Sequence, residues 1–225
     1  MQKTIHTWAI NLITVAGFSL SVPCFIWFGR TGEIPLLLLG LVTFGMSYDF
    51  LSHVLGHYLP QKDNFLRWYS KINFSALCFG IPFTAFAGTF VIAEVNPTGL
   101  SAVLADNYLW ILHGSVLFGL LFMFARYKKI DVNGAVEFTL DKTHGYTKFI
   151  FVTRRILLAA SLVIAIIVVV DGWATNWLLW TLLFGGVFLA SVPLHILHKQ
   201  IPSMFSELIT QYLAVYASWQ VFVVG

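Results

Sequence analysis

The chain has 225 residues, of which 58% are hydrophobic and 10% charged, with 21 Phe and 8 Trp, and its mean hydropathy is +0.81. A soluble domain carries about 25% charged residues, so the composition excludes an ordinary soluble protein and predicts an all-α polytopic membrane protein. The net charge of +3 is no nucleic-acid signal, because the basic residues sit in short loops between apolar runs rather than on one soluble face.

A membrane crossing needs about 20 mainly apolar residues. Seven segments qualify, at about Trp8–Phe28, Ile34–His57, Ile72–Val95, Tyr108–Tyr127, Phe149–Val170, Trp177–His198 and Ser203–Val224. They predict a seven-transmembrane-helix bundle forming one domain over residues 1–225. The first run has no small-residue cleavage site and reads as a retained span rather than a secretory signal. Pro35 suits the first turn of the second span, Pro60 ends it, and Pro202 suits the start of the seventh. Cys24 and Cys78, the chain's 2 cysteines, fall within spans and read as small core residues.

The segment Asp63–Lys71 mixes Phe65, Leu66, Trp68 and Tyr69 with Arg67 and Lys71, the composition of a segment at the headgroup level. The loop at about 128–148 contains the turn signal Val132-Asn133-Gly134 followed by an alternating run, Ala135–Asp141, which predicts a hairpin or lid. Of the 13 Lys and Arg, all but Arg30 fall on one side. The positive-inside rule then predicts a cytoplasmic N-terminus and an outside C-terminus, in a bacterial inner membrane if the chain is prokaryotic. Glu33, Glu94, Asp106 and Asp171 fall on the opposite side.

Within this layout the stretch SYDFLSHVLGHYLP places Asp49, His53 and His57 at i, i+4 and i+8 on one helix face. Ionisable groups in an apolar span are costly and usually face a protein interior or a cavity. The sixth span ends in VPLHILHKQ, which brings His195 and His198 to the same depth, where Pro193 would kink the helix. The seventh begins there with Glu207 and Gln211, four apart. Imidazoles and carboxylates at one level are the ligand types of zinc, iron or manganese. The expectation is a divalent metal, zinc or iron, held by His53, His57, His195 and His198, with Asp49 and Glu207 as ligand or general base. His6 and His144 are weaker extra donors, and His113 stands alone in the outer third of its span. Asn11, Asn73 and the pair Tyr212/Tyr216 read as interhelical hydrogen-bonding residues.

The run His53-Val54-Leu55-Gly56-His57 resembles the HExxH zinc box of site-2 proteases, with Val54 in place of the catalytic Glu, a departure that argues against protease chemistry. Its HxxxH spacing also resembles membrane desaturases and hydroxylases, which use about eight His in three boxes. The seven-span, N-inside layout is similar to hemolysin III and adiponectin-receptor proteins. That likeness implies a zinc site near the cytoplasmic face with His57 as one ligand, whereas the pair His195/His198 departs from the family in span and spacing.

The predicted function is a metal-dependent membrane enzyme, a hydrolase or oxidoreductase, acting on a lipid or other hydrophobic small-molecule substrate. The alternatives are a b-type cytochrome with haem b between the second and sixth spans, a metal-ion or proton transporter, and a structural subunit of a homo-oligomer or membrane complex. A retinal protein is excluded by the absence of lysine from Ser203–Val224.

Overall fold

The computed structural model describes residues 2–132, 134–173, 175–196 and 200–225, and side chains from residue 7 onward except at 77–84 and 191–200. It is mostly helical, 82%. The first two helices, α1 (Gln2–Thr31) and α2 (Ile34–Tyr58), form a long antiparallel pair with Pro35 in the first turn of α2. After a short turn come α3 (Asp63–Val95), the short α4 (Leu100–Asp106) and α5 (Tyr108–Met123). Two strands follow, β1 (Tyr127–Val132) and β2 (Ala135–Leu140), and then α6 (Gly145–Gly172), α7 (Leu178–Ile196) and α8 (Gln200–Trp219), whose end continues as a π-turn over Gln220–Val224.

Three helical stretches are long and apolar enough to cross a membrane, Thr7–Thr31, Ile34–Tyr58 and Gly145–Gly172, and a fourth if α4 and α5, bent by 62°, count as one broken span. Each of the seven predicted runs overlaps a helix, although the fourth runs past the end of α5 at Met123 into β1, and those on α3, α7 and α8 lack such a window among the described residues. In α8 the reason is chemical: Ser203, Ser206, Glu207, Thr210 and Gln211 lower its hydropathy. In α3 and α7 only shorter apolar stretches, Ala85–Val95 and Leu178–Ala190, qualify.

The third helix begins at Asp63, nine positions before the predicted edge at Ile72. Asp63 lies in its first turn, where a carboxylate complements the unpaired N–H groups and the helix dipole. The amphipathic segment 63–71 is therefore the first turns of a continuous helix.

The core lies where α2, α3, α6, α7 and α8 meet, with Phe50, Phe86 and Phe184 fully buried. Trp180 Nε1 donates to the Leu213 carbonyl at 2.9 Å and ties α7 to α8. The exterior is rich in large apolar side chains, Trp8, Leu12, Trp110 and Leu179 among them, while Thr43, Ser47 and Thr210 are buried. Those hydroxyls donate to carbonyls three or four residues back on their own helices, so their burial leaves no donor unmet.

At the other end of the bundle, Asp171 has a structural task. Its Oδ2 accepts from the Ser101 amide at the start of α4, and its carbonyl accepts from Asn96 Nδ2 at 3.0 Å. This acid fastens the bend between α3 and α5 to the end of α6.

The hairpin forms at the predicted turn, with β1 and β2 paired antiparallel so that Ile130 faces Glu137 and Lys129 faces Phe138. Gly134 takes φ +86, a conformation that L side chains rarely adopt. The hairpin lies against α2 and α3. Lys129 Nζ reaches both oxygens of Asp63 at 2.8 and 3.0 Å, and Arg67 sits 5.3 Å from the Phe138 ring centre. Gly56 makes the closest approach, since a Cβ there would overlap the Val136 carbonyl oxygen. A side chain at position 56 would thus hold β2 away from α2.

Candidate functional site

The docking of β2 on α2 brings Glu137 to His53. The imidazole donates from Nδ1 to Glu137 Oε1. Both side chains retain some accessible surface, 18% and 17%, although His53 is surrounded by protein atoms at interior density. The pair is therefore partly buried, with a small part of each side chain left accessible.

One turn before His53, Asp49 is partly buried, and its Oδ1 accepts from Asn73 Nδ2 of α3. Tyr69, a turn before Asn73, stacks on Tyr48 with ring centres 4.1 Å apart and donates its hydroxyl to the Tyr48 carbonyl at 2.7 Å. These contacts fix the α2–α3 interface on both sides of Asp49. From α8, Glu207 accepts a hydrogen bond from Ser203 Oγ at 3.1 Å. The charges of Glu137, Asp49 and Glu207 all act on the His53 ring. Glu207 in turn feels Asp49, Arg154 of α6 and His53. His53 thus contacts one carboxylate directly, that of Glu137, with Asp49 of α2 and Glu207 of α8 near enough for their charges to reach it.

The structure divides the predicted residues. It brings Asp49, His53 and Glu207 into one neighbourhood. His57 is not part of it: its side chain is exposed and its ring packs edge-on against Tyr58 with centres 5.2 Å apart. It lies in the last turn of α2, beyond the contact with Glu137, just before the chain leaves the helix through Leu59 and Pro60. The side chains of His195 and His198, like that of His6, lie outside the described residues. His113 is exposed on α5 and donates from Nδ1 to the Leu109 carbonyl at 2.6 Å. Its ring nitrogen thus serves its own helix. His144 precedes the first turn of α6.

Among the described residues no group of three or more His, Cys, Asp or Glu side chains is arranged to hold a metal ion. Of the expected set, His57 lies apart from His53, Asp49 and Glu207. His53 keeps only Nε2 for a further partner, because Nδ1 is taken by Glu137.

Two members of the site are invisible to sequence spacing. Glu137 lies in a strand outside every apolar run, and Arg154 reads from sequence only as a loop charge. Asn73 does make an interhelical hydrogen bond, and its partner is Asp49. Two orphaned groups accompany the cluster. Asn73 Oδ1 is buried without a partner, and Gln211, fully buried one turn beyond Glu207, has neither amide atom paired.

No protein-family model matches the chain, and no curated protein matches it either. The site must be read from its own chemistry.

Proposed function

We propose that the chain is a multi-pass membrane protein in which α1, α2, α3, α5, α6, α7 and α8 each cross the bilayer, and that the His53 cluster is the catalytic centre of an enzyme acting on a lipid-like substrate. The lopsided distribution of Lys and Arg supports a cytoplasmic N-terminus and hairpin, with the C-terminus outside. One observation carries the catalytic reading: a partly buried imidazole is held through Nδ1 by Glu137, with Asp49 and Glu207 close enough for their charges to act on the same ring.

This is the arrangement of a general base. Glu137 selects the tautomer with the proton on Nδ1, leaving the Nε2 lone pair to take a proton from a hydroxyl or a water. The imidazolium so formed is stabilised chiefly by the Glu137 carboxylate, and it can return the proton to a leaving group. Asn73 orients Asp49, and Ser203 orients Glu207. The apolar exterior would let a substrate approach the accessible part of His53 and Glu137 from the bilayer.

A zinc or iron ion, if held there, would supply Lewis-acid or oxygen chemistry. The described residues alone do not fit one, so a metal centre rests on His195 and His198 joining His53, and no step is routed through it. A b-type haem would need the same two residues, His53 being the one imidazole of the cluster.

The test is lipid mass spectrometry on purified protein in vesicles of a membrane lipid extract, with metal content and visible spectrum taken on the same sample. The wild type is expected to convert one lipid class, and His53→Asn to do so roughly 10²- to 10⁴-fold more slowly. An unchanged lipid profile with the wild type overturns the enzyme reading, and a Soret band moves the assignment to a haem protein.

A second reading, transfer of protons or cations across the membrane, is favoured by one observation. Gln211 extends the polar face of α8 beyond Glu207 with its amide unpaired. It predicts proton uptake by vesicles that Glu207→Gln abolishes.

A further inference from the structure

The start of α6 carries two cations that the His53 cluster does not use. Lys142 Nζ lies 4.0 Å, and the guanidinium carbon of Arg155 4.6 Å, from the centre of one ring, that of Phe151. Each cation gains from the ring's negative face, and together they gather two positive charges about one ring, an arrangement that an anion bound beside it would stabilise.

No carboxylate fills that place among the described residues. The ion pairs found there join His53 to Glu137 and Lys129 to Asp63. The nearest acid in sequence, Asp141, is taken by Thr143, whose hydroxyl and amide both donate to it and hold its carboxyl below the usual range. The first turn of α6 contains no acidic residue.

The helix surface beyond the two cations identifies the anion. Phe149, Val152, Ile156, Val163, Ile166 and Val170 are all exposed, at spacings of three, four, seven, three and four residues, so they form one apolar stripe along α6. A free phosphate would use the cations and leave the stripe bare, whereas an amphiphile with an anionic head uses both.

We propose that Lys142 and Arg155 bind the phosphate of an anionic phospholipid whose acyl chains lie along the exposed face of α6. The site rests on reading α6 as a membrane crossing. It is separate from the His53 cluster, and its occupant is a resident lipid rather than the substrate.

The experiment is native mass spectrometry of the full chain after equal exposure to phosphatidylglycerol and phosphatidylcholine, with inorganic phosphate as competitor. The wild type should retain phosphatidylglycerol roughly 30-fold over phosphatidylcholine, corresponding to about 1 kcal/mol per basic residue near an anionic surface. The double variant Lys142→Gln/Arg155→Gln should lose that preference, each single variant part of it, and Lys62→Gln none. Equal retention by the wild type and the double variant overturns the proposal. So does displacement of the lipid by inorganic phosphate, which would assign the fork to a free anion. A carbonate wash of vesicles checks the membrane reading separately: a chain that washes off fails that reading, and one that stays without lipid preference fails only this site.

Discussion

The imidazole of His53 on α2 and the carboxylate of Glu137 on β2 meet across 84 positions of the chain, and this single hydrogen bond joins the hairpin to the interior of the bundle. Glu137→Gln preserves the shape of the contact and removes the charge. The amide can also turn its NH₂ to the ring and reverse the tautomer. Under the general-base reading, turnover should fall roughly 10²-fold or more with little change in thermal stability, measured as lipid conversion beside a melting curve in detergent. A loss of stability with unchanged conversion would make Glu137 a strut for the hairpin and nothing more.

Gly56 lets the hairpin reach that position. In Gly56→Ala the new methyl meets the Val136 carbonyl, a backbone atom that cannot rotate away, so β2 must shift. The expected cost is about 1–3 kcal/mol, together with faster hydrogen exchange of the β1 and β2 amides. Unchanged exchange in the hairpin would show that it is held by Lys129 and Arg67 rather than by its fit on α2.

Asn73 is the donor that meets Asp49 within the bundle. Asn73→Ala should destabilise the protein by about 1.5–3 kcal/mol, the range for a hydrogen bond to a charged group. Asp49→Asn in the same background should recover part of the loss, because a neutral amide tolerates the missing donor better than a carboxylate does. A double-mutant cycle with no coupling between the two positions would contradict the contact.

Gln211 leads to the opposite expectation. An unpaired buried amide costs about 1–3 kcal/mol, so Gln211→Met should leave the protein as stable or more so. If the amide serves only packing, lipid conversion and proton uptake will be unaffected. A stabilised but inactive variant would place Gln211 in the working machinery, with its instability kept for function.

The helices are legible in the sequence because long apolar runs bounded by proline and by clustered charges leave few alternatives. The stripe of Asp49 and His53 is legible from helical spacing and from the cost of charge in an apolar segment. Spacing also predicts His57 as a neighbour of His53, and there it fails, since a shared helix face says nothing about where the partner surface ends. Glu137 is hidden for a different reason. Its role depends on how the hairpin docks, through Gly56 and the pairing of Lys129 with Asp63, and no local period encodes that. Arg154 is hidden because a cation near a helix start reads as a loop charge until the helix is seen to begin at Gly145.

The cluster is also ordered in time. A chain emerging from the ribosome exposes Asp49 and His53 well before Asn73, later still Glu137, and last of all Glu207. If α2 crosses the bilayer as proposed, through that interval it carries its polar stripe without its partners, at a cost of about 2.5–3.5 kcal/mol for a carboxylate at mid-membrane depth. The close antiparallel pairing of α1 with α2, whose components are made first, gives the early chain an apolar hairpin able to enter a bilayer while those partners are still being synthesised. Truncation between β2 and α8 would then leave an inserted chain with its imidazole engaged but its third carboxylate missing, a trapped assembly intermediate rather than an unfolded one.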